Sequence, residues 1–137
     1  MRGEIAGARG RADELDRIPP FRIEDDRRSG DGVVLAVQGD LDLYVAPELQ
    51  DRIAAAMDAR AKLIVLDLSA VTFIDSMALG VLLGAVDRLQ ASGGQLRLVV
   101  PKPELRRIFE ITLLDQVFTL DSTRDEAFLQ PADPGLG

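Results

Sequence analysis

The sequence predicts an α/β fold in which a mixed β-sheet of about five strands packs against helices, in the order β-β-α-β-α-β-α-β-α. Apolar runs of strand length alternate along the chain with segments whose apolar residues recur at helical spacing. Glycine-rich turns and prolines separate these segments. The 137 residues suit one domain, which we place at residues 21–130, between an amino-terminal tail at 1–20 and a carboxyl-terminal tail at 131–137.

The first part of the domain is predicted to be a hairpin followed by a helix. FRI at 21–23 alternates and predicts an edge strand, and VVLAVQG at 33–39 predicts the second strand. The connection between them, RRSGDG at 27–32, has the composition of a tight turn. A helix then follows, because Pro47 suits a first helical turn and the apolar residues after it recur at helical spacing.

The middle of the chain predicts a buried strand that leads into a second helix. KLIVLDLS at 62–69 is a continuous apolar run, which is typical of a strand covered on both faces in a parallel or mixed sheet. Either Asp75 or Ser76 can cap the helix that follows, and Gly93 and Gly94 end it.

The last part predicts two further strands, each followed by a helix. QLRLVV at 95–100 has the pattern of a strand, and the next helix starts at Pro103. VFTL at 117–120 predicts a short fifth strand. Thr123 and Glu126 form a capping-box pattern, which indicates the start of the final helix.

Composition argues against an enzyme. The chain has no cysteine and no histidine, which excludes disulfides, thiolate catalysis and the usual general base near neutral pH. A catalytic serine needs an adjacent base, and the only lysines, Lys62 and Lys102, are far from Ser76 in sequence. No phosphate-binding loop of the P-loop type occurs. A small acid-catalysed or metal-dependent enzyme is the competing hypothesis from a different functional class.

Charge and hydropathy also narrow the range of partners. The formal net charge of −7 argues against a nucleic-acid surface, which needs clustered Lys and Arg. The first twenty residues mix both charges and lack the apolar core of a signal peptide. The longest apolar run, at 77–86, is shorter than the roughly 20 residues that span a bilayer. We therefore expect a soluble cytoplasmic protein, a monomer or weak homodimer, that binds proteins and has no membrane partner.

Four blocks of sequence carry a resemblance to a known family. They are GDLD at 39–42, IVLDLSAVTFIDSMALGVLL at 64–83, SGGQLRLV at 92–99 and LRRIFEITLLDQVFTL at 105–120. In this order and at these separations they resemble the STAS domain, and most of all its bacterial anti-sigma-factor antagonists. The resemblance implies the STAS fold for residues 21–130.

The resemblance also implies a function and a site. In that family the serine after the aspartate is phosphorylated by a partner anti-sigma factor that is also a kinase. The unphosphorylated antagonist binds the anti-sigma factor and so frees the sigma factor, and a PP2C-type phosphatase restores this form. By position the phosphoacceptor is Ser76, Asp75 is the acid before it, and Asp42 is a second acid near the site. ATP and Mg²⁺ would belong to the partner kinase, so no cofactor or metal is expected in this chain.

Two features of the second predicted helix bear on partner binding. The family usually has Ser or Thr and then Gly after the phosphorylated serine, whereas Met77 and Ala78 stand there in this sequence. Gly80 and Gly84 lie on a stripe of small residues that permits either close approach by a partner or tight packing within the fold. The candidate partner-binding residues are therefore Asp42, Asp75, Met77, Ala78, Gly80 and Gly84.

Alternatives accompany each of these assignments. Judged on the residues alone, Asp75 and Ser76 form a plain helix cap, although a helix start also tolerates a phosphate. Asp40 and Asp42 are either a solvated strand end or, as a minor alternative, a Mg²⁺ site. Within the family, the alternative function is a STAS domain that binds partners in a signalling or lipid-transport complex without being phosphorylated.

Overall fold

The structure, a computed structural model, describes residues 21–27 and 32–129. Within these residues the chain forms five strands and four α-helices. The strands are β1 Arg22–Arg27, β2 Gly32–Leu41, β3 Leu63–Ile74, β4 Gln95–Val99 and β5 Thr119–Asp121. The helices are α1 Ala46–Asp58, α2 Ser76–Ala91, α3 Pro103–Ile111 and α4 Arg124–Leu129. A short 3₁₀ helix, Leu114–Gln116, precedes β5.

The strands form a single sheet in the order β1-β2-β3-β4-β5. β1 pairs antiparallel with β2, and every later pairing is parallel. The predicted mixed sheet and the predicted order of elements are therefore confirmed. In the β2–β3 pairing Leu41 lies beside Ile74, so the carboxyl ends of these two strands reach the same edge of the sheet.

One face of the sheet carries most of the hydrophobic core. Alternate residues of β3, such as Ile64, Leu66 and Leu68, are completely buried on this face. The apolar sides of α1, α2 and α3 pack over them, and Leu82 of α2 and Phe109 of α3 are buried there as well. Because α2 is held by its apolar side, its first turn is fixed relative to the ends of β2 and β3.

The opposite face, which we call the second face, has a smaller core and two ion pairs that involve buried residues. Val34, Val65 and Val99 pack there with Ala127 of α4 in a cluster of their own. Both ion pairs stand beside this cluster, and three of their four residues are buried. The second face therefore combines apolar contact with paired charges.

The ion pairs link elements that are distant in sequence. The Arg97 guanidinium donates to both carboxylate oxygens of Asp121, over 2.8 and 2.9 Å. Arg124 of α4 donates to Asp67 of β3 over 2.6 Å. Its guanidinium also lies 3.8 Å from Asp26 of β1. These contacts tie α4 and β5 to the centre of the sheet.

Asp67 has an altered acidity as a result. Burial alone raises the pKa of its carboxyl group, but hydrogen bonds from Ser69 and Arg124 outweigh that effect and hold the pKa below the ordinary value of 3.8. Asp67 is therefore ionised at neutral pH, in a strand whose neighbouring residues are apolar.

Some strand boundaries differ from the sequence prediction. β3 continues to Ile74, five residues beyond the predicted end at 69, because its pairing with β2 continues across two register irregularities as far as Leu41. The fifth strand occupies Thr119–Asp121 instead of 117–120, since Phe118 is still hydrogen-bonded to the 3₁₀ helix through Leu114. The helix starts at Pro103 and after the Thr123 cap are confirmed.

Several predictions fall outside the described residues. These are the tails at 1–20 and 131–137, the last domain residue at 130, and residues 28–31 of the predicted turn between the first two strands. The hairpin itself is confirmed by the antiparallel register of β1 and β2, in which Ile23 lies opposite Val37.

Candidate functional site

The candidate site lies at the sheet edge where β2 and β3 end and α2 begins. The Asp75 amide donates to the Leu41 carbonyl over 3.0 Å, which carries the β2–β3 pairing to the last residue before the helix. Ser76 is the first residue of α2. Partner and ligand sites in open parallel sheets gather at this kind of edge.

Asp75, and not Ser76, caps the helix. Its backbone is extended and its side chain accepts a hydrogen bond from the Ala78 amide over 3.0 Å. Because Asp75 supplies the cap, the Ser76 side chain is left exposed on the first turn of α2. The cap and the accessible hydroxyl are therefore separate residues, one position apart.

Asp42 and Asp75 meet at the turn that follows β2. Asp42 Oδ1 accepts from the amides of Tyr44 and Val45, at 3.0 and 3.3 Å, and Asp75 Oδ2 accepts from the Leu43 amide at 2.9 Å. The two acids predicted to flank Ser76 are thus brought together by consecutive amides of one turn, residues 43–45. Their carboxylates give this edge negative charge.

Large apolar side chains are exposed around Ser76. Tyr44 and Leu43 are 84% and 51% exposed, and Met77 and Phe73 are 58% and 51% exposed. All four flank the ends of β2 and β3 or the first turn of α2. Exposed apolar side chains that gather in this way indicate a surface for a protein partner.

An open groove continues from Ser76 along α2. Its volume is about 600 Å³. Gln50 of α1 forms one side, and α2 forms the other with Met77, Gly80 and Gly84. Apart from the adjoining residues and backbone of α2 itself, a β-carbon added at Gly80 or Gly84 would meet no heavy atom within 4 Å. Of the two alternatives for the glycine stripe, packing within the fold is therefore wrong, because the stripe faces open space.

A sequence profile described as the STAS domain matches residues 22–127. The chain belongs to the STAS domain family. This match covers the whole of the described sheet and every helix except the last two residues of α4. The suspected family is thereby confirmed.

Similar STAS proteins are anti-sigma-factor antagonists. The anti-sigma-B factor antagonist of Listeria monocytogenes is 30% identical over 104 residues, which is 76% of this chain and 91% of the relative. The crystal structure of an anti-sigma factor antagonist from Mycobacterium paratuberculosis matches with a TM-score of 0.72 and 31% identity, covering 80% of this chain and 92% of that one. The phosphorylated form of the Bacillus cell fate determinant SpoIIAA matches with a TM-score of 0.61 and 27% identity, covering 80% and 96%.

The structure corrects one predicted partner-binding residue of the STAS site. The Ala78 side chain is completely buried in the core under α2, so it cannot contact a partner directly. In the sequence Ala78 directly follows the exposed Met77. Successive side chains of an α-helix are rotated by about 100°, so the side chain after an exposed one can point into the core. Met77, Gly80 and Gly84 lie at the surface, as their predicted role requires.

Three exposed residues near Ser76 were missed by the sequence prediction. These are Leu43, Tyr44 and Phe73. Leu43 and Tyr44 could have been found from the sequence DLY, which lies just after the predicted strand at 33–39. A solvent-exposed turn at that place would ordinarily carry polar residues. Phe73 lies beyond the predicted strand end at 69, and its exposure depends on the extra length of β3.

The other acids at this edge are engaged within the protein. Asp40 accepts a hydrogen bond from the Thr72 hydroxyl over 2.6 Å. Among residues 21–27 and 32–129, no three Asp, Glu, His or Cys side chains gather in a way that could hold a metal ion. Within the same residues no helix is both long enough and apolar enough to cross a membrane.

Proposed function

We propose that this chain is an anti-sigma-factor antagonist that is switched by phosphorylation of Ser76. With Ser76 unphosphorylated, it binds an anti-sigma factor and releases a sigma factor. Phosphorylation by that partner, acting as a kinase, ends the binding, and a PP2C-type phosphatase reverses it. The observation that carries the proposal is the exposed Ser76 hydroxyl at the start of α2, directly after the Asp75 cap, in a chain whose STAS relatives are antagonists.

The first turn of α2 is suited to a phosphate. A helix start has amide groups directed outward and a partial positive charge, so a phosphate there needs little rearrangement. One relative, SpoIIAA, has been solved in both an unphosphorylated and a phosphorylated form. That pair supports a switch that works without unfolding a STAS domain.

The surroundings of Ser76 explain why a phosphate would prevent binding. A phosphoserine adds about −1.5 to −2 charge at pH 7, beside the carboxylates of Asp42 and Asp75. A partner that covers the exposed Tyr44 and Met77 side chains would bury that dianion between them. An unpaired buried charge opposes binding by about 3–5 kcal/mol.

The proposal assigns the catalytic chemistry to the partners. ATP and Mg²⁺ would be bound by the anti-sigma kinase, and this chain would contribute the acceptor hydroxyl and the docking surface. Met77, Gly80 and Gly84 would contact the partner along the groove beside α2. The proteins would meet in the cytoplasm, where sigma factors act.

Intact mass measures the phosphorylation step directly. The protein is incubated with ATP and each anti-sigma factor of its own genome, and the number of phosphates added is determined. We expect one phosphate on the wild type and none on Ser76→Ala. Ser92→Ala is the matched control, because Ser92 is also exposed but lies at the other end of α2, and it should accept the phosphate normally.

Two outcomes would contradict this part of the proposal. A phosphate retained in Ser76→Ala would place the acceptor elsewhere. Binding to an anti-sigma factor without any phosphate transfer would favour the unphosphorylated STAS interaction module.

Affinity for the anti-sigma factor measures separately how a negative charge at position 76 affects binding. Ser76→Asp should weaken binding to the anti-sigma factor more than tenfold, which is about 1.4 kcal/mol. Asparagine has nearly the same shape as aspartate but no charge, so Ser76→Asn should bind more tightly than Ser76→Asp. Equal affinities for the two variants would contradict an electrostatic switch.

A further inference from the structure

The Asp75 carboxylate joins two segments that are far apart in sequence. Its Oδ1 accepts from the Ala78 amide at 3.0 Å, within the first turn of α2. Its Oδ2 accepts from the Leu43 amide at 2.9 Å, in the turn after β2. Both oxygens of the residue before Ser76 therefore accept a hydrogen bond inside the protein, one from each segment.

The turn at 43–45 is ordered internally by a different residue. Asp42 Oδ1 accepts from the amides of Tyr44 and Val45, and the Asp42 carbonyl accepts from those of Val45 and Ala46. Asp42 therefore fixes the shape of the turn. The bond from Leu43 to Asp75 adds something that Asp42 does not supply, namely the position of the turn relative to α2.

The turn carries two of the exposed large apolar side chains at this edge, Leu43 and Tyr44. Among the described residues eight large hydrophobic side chains are exposed, and four of them, at positions 43, 44, 73 and 77, flank the start of α2. Tyr44 has the form of an interface anchor, since its ring offers apolar area and its hydroxyl can hydrogen-bond. The turn therefore continues the surface that begins at Ser76 and Met77.

We propose that Asp75 is a positioning residue that ties the 43–45 turn to the first turn of α2, so that Leu43 and Tyr44 form one anti-sigma-factor-binding surface with Ser76 and Met77. This inference rests on the proposed function and specifies the partner-facing chemistry of the same site. The partner must present an apolar area to this surface. A surface that is ordered before binding loses less conformational freedom when the partner arrives.

Two substitutions of Asp75 remove its hydrogen bond from Leu43 without removing the helix cap. Asparagine and serine are both good caps, so Asp75→Asn and Asp75→Ser preserve an acceptor for Ala78. Asparagine has one acceptor oxygen where aspartate has two, and serine is too short to serve both segments. In each variant the Leu43 amide is therefore expected to lose its partner.

Exchange of backbone amide protons with solvent, measured residue by residue by NMR, tests the hydrogen bond from Leu43 to Asp75 without any partner. In both variants the Leu43 amide should exchange at least ten times faster than in the wild type, while the Ala78 amide keeps its protection. Asp42→Asn is the charge-matched control, because asparagine keeps the single oxygen that Tyr44 and Val45 use. Unchanged exchange at Leu43 in both Asp75 variants would overturn the proposal.

A double-mutant cycle tests the shared surface. Tyr44→Ala should weaken binding to the anti-sigma factor about tenfold in the wild type and by less than threefold in Asp75→Asn. The loss is smaller in Asp75→Asn because the 43–45 turn, without its hydrogen bond to residue 75, no longer holds the Tyr44 ring in place. Equal losses in the two backgrounds would show independent residues and overturn the proposed positioning role. A merely structural role for Asp75 would lower affinity without changing the effect of Tyr44→Ala.

Failure of the inference and failure of the proposed function give different results. A wild-type protein that binds no anti-sigma factor would overturn the proposed function and, with it, the shared surface. The exchange rate of the Leu43 amide would still decide whether Asp75 holds the turn. Phosphorylation of Ser76 together with additive effects of the 44 and 75 substitutions would support the function and overturn only the positioning role.

Discussion

Asp75, at the edge that carries Ser76, accepts hydrogen bonds from two backbone amides, whereas Asp121, on the second face, accepts two from the Arg97 guanidinium. Both carboxylates are satisfied, but by different kinds of donor. The amides bring no full positive charge to Asp75, which is only partly buried. The guanidinium neutralises the charge of Asp121 in a position where both side chains are buried.

This difference matches the structural role of the second face and the binding role proposed for the Ser76 edge. A paired charge is the condition for burying Asp121, since an isolated carboxylate in the interior is strongly unfavourable. At the Ser76 edge the backbone is fixed by carboxylates that bind amides, and the large side chains remain available at the surface. The second face should therefore respond to substitution mainly through stability, and the Ser76 edge mainly through binding.

The largest expected effect is on the second face. Arg97→Met removes the partner of the buried Asp121 carboxylate and should lower the free energy of unfolding by about 3–5 kcal/mol. Urea unfolding, followed by circular dichroism, measures this change. The folded fraction should still accept a phosphate at Ser76, because the pair contributes no side chain to the groove or to the 43–45 turn.

A double substitution provides the control. Arg97→Met combined with Asp121→Leu removes both charges of the pair, so neither charge is left buried alone, and most of the lost stability should return. A double variant as unstable as the single one would indicate that Arg97 acts through packing and not through its charge.

The second expected effect also concerns the second face and depends on pH. Asp67→Asn should lower stability at neutral pH by about 1.5 kcal/mol, near the lower end for a bond to a charged group, because Arg124 is partly exposed to solvent. The folded-state pKa of Asp67 is below its ordinary value of 3.8, so its ionisation contributes stability that is fully present above that value. This contribution is lost as the pH falls through the folded-state pKa.

The free energy of unfolding, measured across acidic pH, tests whether stability falls with pH in this way. The wild type should lose more stability than Asp67→Asn as the pH falls below about 4, because only the wild type has this carboxylate to protonate. Asp25→Asn is a control on an exposed carboxylate of β1 that pairs with Arg52. Parallel pH profiles for wild type and Asp67→Asn would contradict the assigned cause.

The sequence predicted the local features of both regions. The order of elements, the parallel sheet after the hairpin, the helix starts and the Asp75–Ser76 cap all depend on periodicity and on residues a few positions apart. The Thr123 cap is an example, since its hydroxyl accepts from the Glu126 amide at 3.0 Å. Such signals are contained in short stretches of chain and are therefore visible in one sequence.

The contacts between distant segments could not be predicted in the same way. Asp67 lies in an apolar run, and nothing near it in sequence indicates that Arg124 will reach it from 57 positions away. The bond from Leu43 to Asp75 spans 32 positions and depends on the strand register. Ala78 was wrongly placed at the surface because the family pattern gives its position in the chain and not the direction of its side chain.

The smallest expected effect on stability concerns Gly84, and it distinguishes binding from stability most sharply. Glycine within a helix is about 1 kcal/mol less favourable than alanine. At Gly84 an added β-carbon meets no heavy atom within 4 Å beyond the adjoining part of α2 itself, so Gly84→Ala should raise the free energy of unfolding by up to that amount. The same methyl group projects into the groove, where it should lower affinity for the anti-sigma factor by about tenfold.

A gain in stability together with a loss of affinity cannot come from damage to the fold. Gln90→Ala, an exposed change on the same helix outside the groove, should leave affinity unchanged. Affinity retained in Gly84→Ala would mean that the partner does not approach this part of α2. The binding surface would then be confined to Ser76, Met77 and the 43–45 turn.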